Sequence, residues 1–133
     1  MHFETRKEDL AKTQQTESKD FAIAAAEIAA ELNCKDITVL DLTGKSPATD
    51  YFVIATSTSD RQGRTVTDRI CEFGKKHDFQ RFGMAGYQQG RWILIDFVDV
   101  VVHLFDDEYR KFYNLEMLWG DAEQVDFQRT AES

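Results

Sequence analysis

Proline occurs once in the 133 residues, at Pro47, and glycine only seven times. That scarcity excludes collagen-like and low-complexity chains and leaves few forced breaks between elements. The two cysteines, Cys34 and Cys71, have no metal-ligand spacing and make no disulfide framework, which fits a reducing, cytoplasmic setting. No apolar run reaches the roughly 18 to 20 residues that span a bilayer. The opening stretch MHFETRKEDLAKTQQTESKD has no apolar signal core, so no membrane partner is expected. Positive charge is short as well: 16 Lys and Arg stand against 24 Asp and Glu, a net charge of −8. Such a chain is repelled by phosphate backbones, so no direct nucleic-acid specificity is expected, and a basic protein is the better match.

What is present is one domain's worth of periodic segments. Residues 1–17 are polar and expected to be disordered. Over 18–33, Phe21, Ala24, Ala25, Ile28 and Leu32 recur at helical spacing. DITVLDL at 36–42 alternates as a strand does, TGKSPATD is a loop, and YFVIAT at 51–56 reads as a central strand buried on both faces. A second helix is expected over 60–77, opened by a capping box of Ser59 and Gln62. FQRFG at 79–83 reads as a short strand and MAGYQQG as a loop. After Phe105 the pattern is helical, broken near Asn114, and residues 123–133 form a polar tail. The order predicts a single α/β domain over 18–122, a mixed sheet with helices packed on it.

The stretch RWILIDFVDVVVHLF at 91–105 is the most informative. It has no Gly or Pro and is dense in β-branched and aromatic residues, as strands are. Asp96 and Asp99 bracket Phe97-Val98, so a hairpin with a two-residue turn is the simplest reading, pairing Asp96 with Asp99, Ile95 with Val100 and Trp92 with His103. Alternation then puts Ile93, Ile95, Val100, Val102 and Leu104 on an aliphatic core face. The opposite face carries Trp92, Leu94, Asp96, Asp99, Val101, His103 and Phe105. Burying the aspartates unpartnered costs several kcal/mol, so the turn end of that face should be wet. Two readings stay open: a docking surface, or a sheet back covered by helices with only the aspartates in water.

Signals for chemistry are weaker. Strand YFVIAT, loop TSTSD and the following helix start, with Arg61 and Arg64 nearby, have the layout of a phosphate site over residues 56–64. Ser59 is already used as a cap, however, and neither GxxxxGK[ST] nor GxGxxG occurs. Asp96 and Asp99 are the residue types of a Mg²⁺-binding pair, but carboxylates flanking a turn are accounted for by the turn. His103 and His77 have no partner at ligand spacing. No catalytic residue, metal or cofactor is expected.

Three segments carry a family resemblance: ATDYFVIATSTSDRQ at 48–62, RWILIDFVDVVVHLF at 91–105 and YRKFYNLEMLWGDA at 109–122. In this order and spacing they resemble the ribosomal silencing factor family, RsfS, also called Iojap, over roughly residues 18–122. The resemblance implies an α/β fold similar to nucleotidyltransferases but without their catalytic pattern. It implies binding to a basic large-subunit ribosomal protein at the intersubunit face of the large ribosomal subunit, which blocks joining of the small subunit and represses translation. Organellar relatives act in large-subunit assembly, and relatives form homodimers. The tryptophan of the family's WxxxD hairpin belongs to its ribosome-binding surface; here it is Trp92, with Asp96 as the acid and Phe97 as the apolar turn residue. The family usually has Gly next, where this chain has Val98. The partner-binding residues so expected are Trp92, Leu94, Asp96, Phe97, Asp99 and Val101. The competing reading is a nucleotidyltransferase-like enzyme using Asp96, Asp99 and the 56–64 segment.

Overall fold

The structure is a computed structural model describing residues 2–127, with side chains described from residue 17 onward. Six strands form: β1 Lys35–Asp41, β2 Tyr51–Thr56, β3 Gly83–Ala85, β4 Trp92–Asp96, β5 Val100–Phe105 and β6 Glu123–Gln124. Four helices accompany them: α1 His2–Glu31, α2 Asp60–Lys76, α3 Asp107–Tyr113 and α4 Leu115–Leu118. The strands make one sheet in the order β3-β4-β5-β2-β1-β6. β2 and β5 run parallel and every other pair is antiparallel, so the sheet is mixed, as the sequence predicts. YFVIAT is an inner strand, with only Phe52 less than buried.

α1 lies across β1, β2 and β5, and α2 lies on β4. Ala22, Ala25, Ala26 and Ala29 are fully buried, and their small side chains let α1 approach the sheet closely. Ile93, Ile95, Val100, Val102 and Leu104 meet these helices as the core face expected of the hairpin. At roughly 25 cal/mol per Å² of apolar surface removed from water, each such side chain contributes about 1.5–3 kcal/mol.

The hairpin closes differently from the simplest reading. Ile95 pairs with Val102, Leu94 with His103, Trp92 with Phe105, and Asp96 with Val101 instead of Asp99. The partners are moved by two residues, an even step, so the strand residues of β4 and β5 keep their faces. The extra residues form a tight reversal at Val98, whose φ is +74°. Asp99 N–H donates to the Phe97 carbonyl at 3.0 Å and Phe97 N–H to the Val100 carbonyl at 2.9 Å. This is a γ-turn of the rare positive-φ kind, centred on a β-branched residue.

Two further differences have simple causes. The short strand expected at 79–83 forms instead at Gly83–Ala85, because Phe79 turns inward and stacks on Phe21 with ring centroids 4.5 Å apart. The tail expected from residue 123 begins as edge strand β6 on β1, anchored by Val125 and Phe127 against the main core. Residues 128–133 lie outside the described residues, as do nearly all side chains of the expected disordered extension 1–17.

Candidate docking surface

The sheet face away from α1 and α2 is organised in rows by the register. Trp92, Phe105 and Thr56 form one row; Leu94, His103 and Ile54 the next; Asp96, Val101 and Phe52 the third. The helices α3 and α4 cover only part of it. Tyr109, Leu115, Trp119 and Ala122 pack against Leu40, Leu42, Ile54 and Phe105, making a second, smaller core over β1, β2 and the end of β5. The β4 side is left half-open: Trp92, Leu94, Asp96 and Val101 are all half-buried. Helices therefore cover one half of this face and leave the other half open.

Trp92 stands at the boundary. Its ring stacks on Phe105 at 5.0 Å and lies 4.5 Å from Tyr113 of α3. Its indole N–H donates to His103 Nδ1 at 3.2 Å. His103 is 4% exposed, and burial pushes its pKa down to about 4, so the ring is neutral at pH 7 and can accept that bond. Just outside this boundary the surface is unusually apolar. Phe112, Met117 and Leu118 are each more than 70% exposed, and Tyr113 is 43% exposed. Exposed apolar residues scattered singly need no explanation, but four within seven positions of one helical corner make a patch.

The charges around it are mostly acidic. Asp106 caps α3 through Tyr109 N–H at 2.7 Å and pairs with Arg91 at 2.7 Å, while Glu108 holds the other end of the same guanidinium. Arg91 also lies over the Tyr109 ring at 4.2 Å. These pairs are solvent-exposed and fix geometry more than they stabilise.

The expected site residues divide. Trp92, Leu94, Asp96 and Val101 share the half-open face. Phe97 does not: it is 5% exposed and meets Phe21 edge-on at 4.7 Å in the main core. It continues the inward alternation of Ile93 and Ile95, so its position fits a structural role. Asp99 also leaves that face. Its carbonyl accepts from Asp50 and Tyr51 N–H, both at 3.0 Å, and its side chain lines a groove of about 530 Å³ beside Phe97 and Phe21. Asp96 Oδ1 meanwhile accepts from Val98 N–H at 2.7 Å. The carboxylate pair the enzyme reading requires is thus split between opposite sides of the sheet. Among the described residues no group of three or more His, Cys, Asp or Glu is placed to hold a metal.

The start of α2 is closed upon itself. Gln62 N–H donates to Ser59 Oγ at 3.0 Å, and Thr58 N–H donates to Gln62 Oε1 at 2.6 Å. Arg64 reaches the Gln88 carbonyl and Asp60. These donors are engaged within the chain, which leaves the 56–64 segment poorly suited to a phosphate. Sequence reasoning missed the exposed corner of α3 and α4. The available signal was YRKFYNLEMLW itself, which has too many apolar residues for a single buried stripe.

The family model described as "Ribosomal silencing factor during starvation" (RsfS) matches residues 15–133. The ribosomal silencing factor RsfS of Bacillus subtilis is 39% identical over 102 residues, covering 77% of this chain and 86% of that protein. The chloroplastic protein Iojap of Zea mays is 34% identical over 110 residues, covering 83% of this chain and 48% of that protein. A crystal structure of a protein from Chromobacterium violaceum superposes with a TM-score of 0.71 at 30% identity, covering 87% of this chain and 93% of that one. A second, from Bacillus halodurans, gives 0.67 at 30% identity, covering 80% and 94%.

Proposed function

Because this chain belongs to the ribosomal silencing factor family, RsfS, we propose that it docks on the free large ribosomal subunit through the half-open face of β4 and β5. The partner is a basic ribosomal protein at the intersubunit side. The bound domain occupies space the small subunit needs, and translation falls for that steric reason alone. No bond is made or broken, and the chain is not an enzyme.

The observation that carries this reading is the contact of Trp92 with Tyr113, and of Tyr113 with Phe112, on a helical corner that also exposes Met117 and Leu118. A half-buried aromatic anchor flanked by exposed apolar side chains has the make-up of an interface centre. The net charge of −8 favours a basic partner and speeds encounter with it. The same charge weighs against self-association through this face, since two copies repel; the homodimer expected from the resemblance would have to overcome that. A cytoplasmic location follows from the proposed partner, and among the described residues no helix is long and apolar enough to cross a membrane.

The test is co-sedimentation of the purified protein with large subunits, small subunits and joined ribosomes. The protein should travel with free large subunits and be absent from the other two. Recovery on joined ribosomes would contradict the steric mechanism.

A further inference from the structure

Arg110 of α3 does not point to solvent with its neighbour Lys111. Its side chain is 10% exposed and reaches three other elements. Nη2 and Nε donate to one oxygen of Glu116 on α4, at 2.7 and 3.2 Å. Nη1 donates to Thr56 Oγ1 at the end of β2, at 2.9 Å. Nη2 also reaches Thr38 Oγ1 on β1, at 3.5 Å. One guanidinium therefore joins both small helices to two strands. A planar fork of five donors can do this, and a lysine ammonium on a flexible stem cannot match the geometry.

Apart from the Arg91 pairs and the Asp106 cap at the start of α3, few polar contacts fix the helices it joins. α3 has seven residues and α4 four, far below the length at which a helix holds alone. Neither contains a fully buried residue. Their joint is Asn114, in the left-handed region with φ of +44°. Tyr109, Leu115 and Trp119 give the corner apolar adhesion, but adhesion is non-directional. Across Asn114, the Arg110–Glu116 pair is a directional bridge between α3 and α4. A part-buried ion pair of this kind contributes little net stability, since desolvation of Arg110 and solvent around Glu116 offset the attraction; its value lies in orientation. What it orients is the outward side of the corner, where Phe112, Met117 and Leu118 stand exposed.

We infer that Arg110 is a positioning residue for docking: it touches no partner, yet it holds the apolar corner of α3 and α4 in register with Trp92. This rests on the docking reading above. The test uses the full chain and three variants: Arg110→Met, the patch variant Met117→Ala/Leu118→Ala, and both together. In the free protein, Arg110→Met should speed amide exchange across α3 and α4 while the amides of β2 and β5 stay protected. Its affinity for isolated large subunits should fall about tenfold, and Arg110→Lys should recover only part of that. Added to the patch variant, Arg110→Met should cause almost no further loss, because coupled sites are non-additive.

Unchanged exchange in α3 and α4, or a full additive loss in the patch background, overturns the clamp. If Trp92→Ala weakens binding and Arg110→Met does not, docking stands and the clamp alone falls. If neither Trp92→Ala nor the patch variant alters binding, the docking reading falls and takes the clamp's role with it. Should Arg110→Met also lose protection in β2 and β5, Glu116→Gln replaces it, with the same pattern expected at smaller amplitude.

Discussion

Trp92 donates its indole N–H to Nδ1 of His103 across 3.2 Å. The bond fixes the imidazole tautomer, because Nδ1 must accept and the ring proton must sit on Nε2. That Nε2 is buried without a hydrogen-bond partner among the described residues. The anchor of the proposed interface is thus held by a histidine that has to stay neutral.

Neutrality makes the fold acid-sensitive in a definable window. Burial lowers the His103 pKa from 6.5 to about 4. Between those values the unfolded chain binds a proton that the folded chain does not, so stability falls as pH drops through 6.5 and the loss levels off below 4. The full effect is roughly 3 kcal/mol. Urea melts at pH 7 and pH 4 should show that loss in the wild type, and His103→Leu should show a pH dependence smaller by about that amount.

Asp96 has two separable roles. Its carboxylate closes the turn through Val98 N–H, and its charge faces a basic partner in the proposed complex. Asp96→Asn keeps an acceptor and should melt within about 0.5 kcal/mol of wild type, while weakening large-subunit binding at low salt. Asp96→Lys should lose about 1 kcal/mol of stability as well. Its binding defect should shrink as salt rises.

Val98 carries strain that glycine would not. A β-branched residue at φ of +74° costs about 1–2 kcal/mol, partly offset in a Gly variant by the entropy glycine loses on folding. Val98→Gly should therefore melt higher, by up to about 1 kcal/mol. A lower melting temperature would show that the exposed valine makes a contact worth more than the strain.

Gly86 has the opposite requirement. Its φ is +79°, and an added Cβ would lie 1.9 Å from the Trp92 carbonyl oxygen. Gly86→Ala should destabilise by roughly 3 kcal/mol and loosen the start of β4, read as faster amide exchange at Trp92 and Ile93.

The sequence carried the faces of the hairpin better than its turn. Alternation placed Ile93 and Val102 inward and Trp92 outward, and that survived a two-residue change of partner because strand periodicity is even. The turn was beyond reach: Asp96 and Asp99 look alike as residues, and only the reversal at Val98 sends Asp99 to the helix side. The break at Asn114 was legible, since Asn tolerates the left-handed region. The clamp was not, because Arg110 reads as an ordinary solvated cation beside Lys111, and Thr38 and Thr56 lie 72 and 54 residues away. Strand β6 is two residues long and has no periodic signal to find.

The most direct test of docking through β4 and β5 is the affinity of Trp92→Ala for isolated large subunits, measured beside its melting curve and that of Ile93→Ala. Ile93 is fully buried, so its truncation should cost roughly 2–5 kcal/mol of stability. Trp92 is half-buried, and losing its ring contacts and its bond to His103 should cost about 1–2 kcal/mol. Trp92→Ala should still fold, and should bind large subunits about thirtyfold more weakly, the 2 kcal/mol typical of a central aromatic anchor. A folded Trp92→Ala that binds as tightly as wild type would contradict the account.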